Sequence, residues 1–288
     1  MKFSFRNIIL TLSILFVAGC QSTDKFNYSA ADTPMTFERG GVFIGDNVAE
    51  RYRIDYDAIR AGADKHQGKE WSAAYTLAKL DELDAKLGPG ETVPLIVYMH
   101  GCAGIVIPSL RHVDALTKLG DYIVASPNSF ARPRPVSCRS AGDTDFQVMQ
   151  DSRSWRRAEL AYAMNELLTH SWVDRNNIFL IGHSQGGTTV LDYSGPARIK
   201  GRVTMHGGCS VGSLTILEDN TRPDEQILGF HSGEDPWYQN YQSGCPHVVK
   251  RHPNGTLIYE SDDNTHDLVA KKKYWEILAA WIRKHTDR

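Results

Sequence analysis

A serine set between glycines, Gly182-His-Ser-Gln-Gly186, follows the apolar run Ile178-Phe-Leu-Ile181 and precedes Gly187 and the helix-compatible Thr188-Thr-Val-Leu-Asp192. A serine hydroxyl is a weak nucleophile at neutral pH and must stand where an imidazole can take its proton. A strand, a tight turn and a helix achieve that. Gly182 and Gly186, lacking side chains, let strand and helix approach closely around a strained Ser184. Acyl transfer at such a serine needs a base, an acid to orient the base, and donors for the oxyanion. The loop Ser232-Gly-Glu-Asp-Pro-Trp237 offers Asp235 as the acid, with Glu234 its close competitor. The loop Ser261-Asp-Asp-Asn-Thr-His-Asp267 offers His266 as the base. His100-Gly-Cys-Ala-Gly104 follows another apolar run, so the N–H of Cys102, or of Ala103 by a one-residue shift, is one expected oxyanion donor. The N–H of Gln185, directly after the serine, is the other. His100, His183, His206 and His231 read as strand-end or core histidines.

Each of these groups needs a strand behind it. Unalternating apolar runs occur at Pro94-Leu-Ile-Val-Tyr-Met-His100, Tyr122-Ile-Val-Ala-Ser126 and Ile178-Phe-Leu-Ile181, with shorter ones at 202–206, 227–231 and 256–260. Such runs are typical of parallel strands buried on both faces. Val42-Phe-Ile44 and Arg51-Tyr-Arg-Ile-Asp-Tyr56 suggest earlier strands. Helical spacing of apolar residues appears over 72–87, 155–168 and 268–282. Strands alternating with helices predict an α/β fold, a mainly parallel central sheet flanked by helices on both faces.

Lys2 and Arg6, followed by an apolar stretch over Ile8–Val17 and small residues, read as an export signal. Its end, Leu15-Phe-Val-Ala-Gly-Cys20, resembles the bacterial lipobox, which implies a signal over 1–19 and lipidation of Cys20. Gln21, in place of the aspartate that marks inner-membrane retention, implies an outer-membrane anchor facing the periplasm of a Gram-negative cell. Residues 20–36 read as a tether and 37–288 as one domain, long enough to bury a sizeable core. The net charge of −2, without a Lys/Arg block, argues against a nucleic-acid partner. Besides Cys20 there are Cys102, Cys138, Cys209 and Cys245, an even count that in an oxidising compartment suggests two disulfides of open connectivity. No C-x-x-C or H-x-x-x-H spacing supports a metal site, and Cys245-Pro-His247 is weak by itself.

His100-Gly-Cys-Ala-Gly104, Ser129-Phe-Ala-Arg-Pro-Arg-Pro-Val-Ser-Cys138 and Gly182-His-Ser-Gln-Gly-Gly187 together resemble the α/β-hydrolase superfamily and, within it, the dienelactone-hydrolase-like group. The resemblance covers most of residues 90–285. It implies a Cys102–Cys138 bridge, leaving Cys209 with Cys245. The name-giving enzymes use a cysteine nucleophile where this chain has Ser184, which shifts the expected substrate from dienelactones toward a general small-molecule ester. The reading is a serine hydrolase acting on carboxylic esters, needing no metal or organic cofactor. A peptidase or amidase with the same triad, and a non-catalytic envelope lipoprotein that binds a ligand, are the alternatives. Arg132, Arg134 and Arg139 are candidates for selecting an anionic substrate, against a solvated loop. Trp237 and Tyr238 are candidates for an apolar acyl pocket. Oligomeric state is not legible.

Overall fold

In the computed structural model, the residues described are 29–54, 73–133, 135, 146–211, 214–215, 220–237 and 244–287. Seven strands form one sheet: β1 (Gly41–Ile44), β2 (Val93–Met99), β3 (Ile123–Ser126), β4 (Val173–His183), β5 (Gly201–Met205), β8 (Gln226–Ser232) and β9 (Gly255–Glu260). Their order is β1-β3-β2-β4-β5-β8-β9. Only β1, at one edge, runs antiparallel to its neighbour; the other five pairings are parallel. A separate two-stranded ribbon joins β6 (Ser210–Val211) to β7 (Leu214–Thr215).

The unalternating apolar runs are explained by what covers each face. Successive side chains of a strand point to opposite sides. Leu95, Val97, Met99, Ile178 and Leu180 enter one core, with Leu160, Met164 and Leu167 of the helix Phe146–Leu167 and Leu80 and Leu83 of the helix Ala73–Lys86. Ile96, Tyr98, Phe179 and Ile181 enter the other, with Val113 and Leu116 of the helix Ile107–Thr117 and Tyr274, Leu278 and Ile282 of the helix Lys272–His285. The central strands therefore have no solvent face on which a polar residue could alternate.

Two expectations are corrected. The expected strand at Arg51–Tyr56 is not found over its described part, Arg51–Ile54: a helix covers Asp46–Tyr52 and ends at Arg53, whose backbone is left-handed with φ 53°. Val48 and Ala49 of this helix and Ile54 after it are buried in the first core, so Tyr52 and Ile54 mimic strand alternation without belonging to one. The expected tether over 20–36 gives way to packed structure before its end. A short helix over Thr33–Glu38 buries Thr33, Thr36 and Phe37. The signal segment and Cys20 lie outside the described residues. Among the described residues no helix is long and apolar enough to cross a membrane.

The helix after the serine, Gln185–Leu191, is only seven residues long and is held at its C-terminus by a buried cation. Arg202 of β5 donates to the carbonyls of Val190, Leu191 and Tyr193 at 2.9, 3.0 and 2.8 Å. Its charge is matched by Glu225 at 2.7 Å. A helix C-terminus carries partial negative charge on its unpaired carbonyls, so a paired arginine there satisfies acceptors that burial would otherwise leave orphaned. That accounts for an arginine within a fully buried strand.

Candidate active site

Ser184 stands immediately after β4 with φ 55° and ψ −122°, a conformation that costs a non-glycine residue energy and persists only where its surroundings impose it. They do so here on two sides. The Ser184 N–H donates to the Met205 carbonyl at 2.7 Å. A Cβ on Gly182 would lie 2.2 Å from the Gly186 carbonyl oxygen, and one on Gly186 would lie 1.9 Å from that of Met99. Both glycines of the motif are thus required by backbone contact. Gly187, where a Cβ would meet the Thr204 hydroxyl at 2.7 Å, is under milder pressure.

The expected oxyanion segment lies against this turn. A Cβ on Gly101 would sit 3.3 Å from Ser184 Cβ and 3.2 Å from His183 Nδ1. Gly104 N–H closes a turn onto the Gly101 carbonyl at 3.1 Å, with Cys102 and Ala103 at its centre. Gln185 opens the following helix, so no intrahelical carbonyl is available to its N–H. Its side-chain amide is tied to Ser152 Oγ at 2.7 Å.

Beneath the segment is a buried network that sequence reasoning missed. His100 donates from Nδ1 to the Gly101 carbonyl at 2.7 Å, while its Nε2 accepts from the Ser129 N–H at 3.1 Å and from Arg156 at 3.0 Å. Arg156 also donates to the His100 carbonyl and to Ser129 Oγ, and Ser129 in turn donates to Glu159. Burial, and then the Arg156 charge, hold the His100 imidazole well below its ordinary pKa, so it is a neutral acceptor at Nε2. Glu159 is paired with Arg132 at 2.7 Å. Arg132, only 6% exposed, therefore belongs to the scaffold and cannot select an anionic substrate as the sequence suggested. The signal for this network was a charged Arg156/Glu159 pair at i,i+3, on the helix that also supplies the buried Leu160, Met164 and Leu167. Arg134 and Arg139 lie outside the described residues.

Asp235 and His266 come together as expected. His266 Nδ1 lies 2.9 and 2.8 Å from the two Asp235 oxygens, three residues beyond β8 and six beyond β9. The Trp237 N–H donates to Asp235 Oδ1 at 2.9 Å. Glu234, the competitor, is not the partner. The loop bearing His266 is anchored to the strand that leads into Ser184 through His183, whose Nε2 donates to the His266 carbonyl at 2.7 Å. Burial, reinforced by the neighbouring His112 and His266, pushes the His183 pKa down to about 3. His112 bridges Tyr98, at 2.8 Å, and Asp267, at 3.0 Å. Trp237 is 55% exposed with its ring 5.8 Å from that of His266, and Tyr238 lies outside the described residues.

A further histidine shares Asp235. His206, directly after β5 and wholly buried, donates from Nδ1 to Asp235 Oδ2 at 2.7 Å. Its Nε2 accepts the Leu268 N–H at 3.0 Å. Burial alone would raise the Asp235 pKa, but the hydrogen bonds from His206 and His266 outweigh it and hold the carboxyl well below the usual range. His206, His231 and Asp235 place ligand-type atoms within 4.8 Å of one another. Both nitrogens of His206 are engaged by these hydrogen bonds, one of them in support of the Asp235 carboxylate.

The expected bridge between Cys209 and Cys245 is present, spanning 36 residues and joining the loop after β5 to the start of the helix Pro246–Arg251. Cys102 is also disulfide-bonded. Cys138 lies outside the described residues.

No protein-family profile matches the chain. None of the curated proteins matches it either. Solved structures do share its architecture. A dienelactone hydrolase-like promiscuous phosphotriesterase from metagenomic libraries superposes with a TM-score of 0.52 at 17% identity, over 69% of this chain and 90% of its own. The esterase PE8 gives 0.50 at 15% identity, over 69% and 96%. A phospholipase/carboxylesterase from Dyadobacter fermentans gives 0.50 at 16% identity, over 67% and 90%. With the parallel sheet and its crossing order, these likenesses define the fold as that of the α/β-hydrolases.

Proposed function

We propose that this protein is a serine hydrolase of carboxylic esters, with Ser184 as nucleophile, His266 as base and Asp235 as the acid that orients it. The observation that carries this is the hydrogen-bonded Asp235–His266 pair tied through His183 to the strained turn bearing Ser184. Ser184 Oγ attacks the ester carbonyl and gives its proton to His266 Nε2. Asp235 accepts the Nδ1 proton's hydrogen bond, fixing the tautomer and stabilising the imidazolium. The oxyanion receives the N–H groups of Cys102 and Gln185, each worth about 3 kcal/mol in the transition state. The imidazolium then protonates the departing alcohol, and water, activated by the same histidine, releases the acid. The esterases among the structural neighbours and the serine in place of cysteine both favour esters as the substrate class.

Ser184→Ala should lower hydrolysis of a small activated ester on the order of 10⁶-fold with folding intact. A fluorophosphonate should label the wild type at Ser184 and leave the variant unlabelled. Equal turnover in the two proteins would remove the assignment.

The setting we propose is the cell envelope, with the chain held by lipid on Cys20 at the outer membrane and facing the periplasm. The charged, apolar and small-residue order of residues 1–20 supports that reading. Metabolic labelling with a radioactive fatty acid should mark the wild type and not Cys20→Ser; labelling of both would sink it.

A further inference from the structure

We propose that His206 is a positioning residue for the reaction: one buried imidazole that clips the acid's loop and the base's loop together and holds the acid's carboxylate in the orientation the base requires. This rests on the triad reading above. His206 cannot itself be a base for Ser184, since it is fully buried and both ring nitrogens are engaged. Its Nδ1–H reaches Asp235 on the loop after β8, and its Nε2 takes the N–H of Leu268, two residues beyond His266 on the loop after β9. The ring itself is fixed from β5. Its backbone N–H donates to the Phe230 carbonyl at 2.9 Å, and its ring stacks on that of His231 at 5.7 Å. Tyr259 stacks on the far side of His231 at 6.2 Å. Three strands thus meet at one imidazole.

Asp235 shows why such a residue is needed. A carboxylate with no solvent exposure must find its hydrogen bonds inside the protein. It has the Trp237 N–H on Oδ1, His206 on Oδ2, and His266 across both. With the His206 donor removed, Oδ2 would be held by His266 alone. The carboxylate could then rotate, and more of its negative charge would fall on His266, favouring the imidazolium.

The other groups facing this centre do not replace that donor. His183, from the end of β4, spends Nε2 on the His266 carbonyl, and His231, from β8, offers a ring face to His206. Asp267 is committed to His112 from the helix Ile107–Thr117, and Asp263 to Lys271. Burial keeps His183, His206 and His231 below their ordinary pKa values, against the pull of Asp235 on the latter two. His206 therefore serves as a neutral donor.

The test uses three substitutions in the full chain. In His206→Asn the amide nitrogen takes the place of Nδ1, and asparagine tolerates the φ of 54° found here. His206→Gln keeps an acceptor toward Leu268 but withdraws the donor from Asp235. His206→Leu removes both. In the glutamine and leucine variants kcat should fall roughly 10- to 100-fold with KM within about twofold, the usual cost of losing an orienting partner. The acid limb of kcat/KM should move up by about half a pH unit to one unit. The asparagine variant should recover most of kcat and the wild-type limb. Glutamine performing as well as asparagine, or a folded leucine variant with wild-type kcat and acid limb, would overturn the proposal. Fluorophosphonate labelling of the wild type separates the two levels. Labelling at Ser184 with no effect of the variants refutes the role of His206 alone, whereas absent labelling and absent turnover refute the triad and this role with it.

Discussion

Gly186→Ala is the sharpest test of why the turn around Ser184 is built as it is. The added Cβ would stand 1.9 Å from the Met99 carbonyl oxygen, 2.5 Å from its carbon and 2.7 Å from the His100 oxygen. All three are backbone atoms at the end of β2, so no rotamer change relieves the clash. Ordinary contact is near 3.5 Å, so the helix and β2 must separate by about 1.5 Å. That gap opens where Gln185 N–H and Cys102 N–H are proposed to converge on the oxyanion. Losing one such donor costs on the order of 10²- to 10³-fold in kcat. A 1 Å misplacement of reacting groups costs a comparable ~10²-fold. We expect kcat for an activated ester to fall by about that factor, with stability reduced by roughly 1–3 kcal/mol as in other overpacked sites. Two controls calibrate the effect. In Gly187→Ala the nearest atom is the Thr204 hydroxyl at 2.7 Å, which can rotate, so kcat should stay within about tenfold. Gly90 has φ +87° with nothing within 4 Å of an added Cβ, so Gly90→Ala should cost ~1 kcal/mol from backbone strain alone and leave kcat unchanged. Urea denaturation and steady-state kinetics on the three proteins supply both readouts. A Gly186→Ala protein with wild-type kcat would refute the claim that helix contact at Met99 sets the site.

Replacing Cys209 and Cys245 together by serine releases a loop of 36 residues and should lower stability by ~4 kcal/mol, read as the urea midpoint under oxidising conditions. An unchanged midpoint would show that the bridge constrains nothing the fold does not already hold. Glu159→Gln removes the carboxylate from a buried Arg132 and from Arg156, which lies below the His100–Gly104 segment. It should cost about 3–5 kcal/mol, measured by thermal unfolding, because an uncompensated charge remains inside. His183 and His231 are pushed by burial first to about 3 and about 4. Their unfolded value near 6.5 means that between about pH 6 and 4 the unfolded chain binds roughly two more protons. The stability contributed by keeping both rings neutral is thus complete above about pH 7 and falls by roughly 2–3 kcal/mol per pH unit as pH drops through that window. His231→Gln should reduce the slope by about half in denaturation curves taken at each pH, and a slope unaltered by the substitution would contradict the account.

What could be read from residue order was whatever depends on neighbours along the chain. Runs such as Leu95–Met99 and Ile178–Ile181 are apolar on both faces, which marks a covered parallel strand, and observed bounds fall within a residue or two for most runs, although β4 begins five residues before Ile178, at Val173. Gly182 and Gly186 announce the tight turn around Ser184, and Asp235 and His266 each follow a strand end. The alternation at Arg51–Tyr56 misled because two apolar residues at spacing two also fit the end of a helix and the residue beyond it. Only the tertiary structure could show that Arg132 lies inside, since its partner Glu159 is on a distant helix and burial is decided by what covers a loop. It also decided that His206 meets Asp235 and Leu268. Those contacts join loops after β5, β8 and β9, which are neighbours only because the sheet orders those strands side by side. Local pattern encodes which elements form, while side-chain partnership across loops is set by sheet order, and no spacing along the chain carries it.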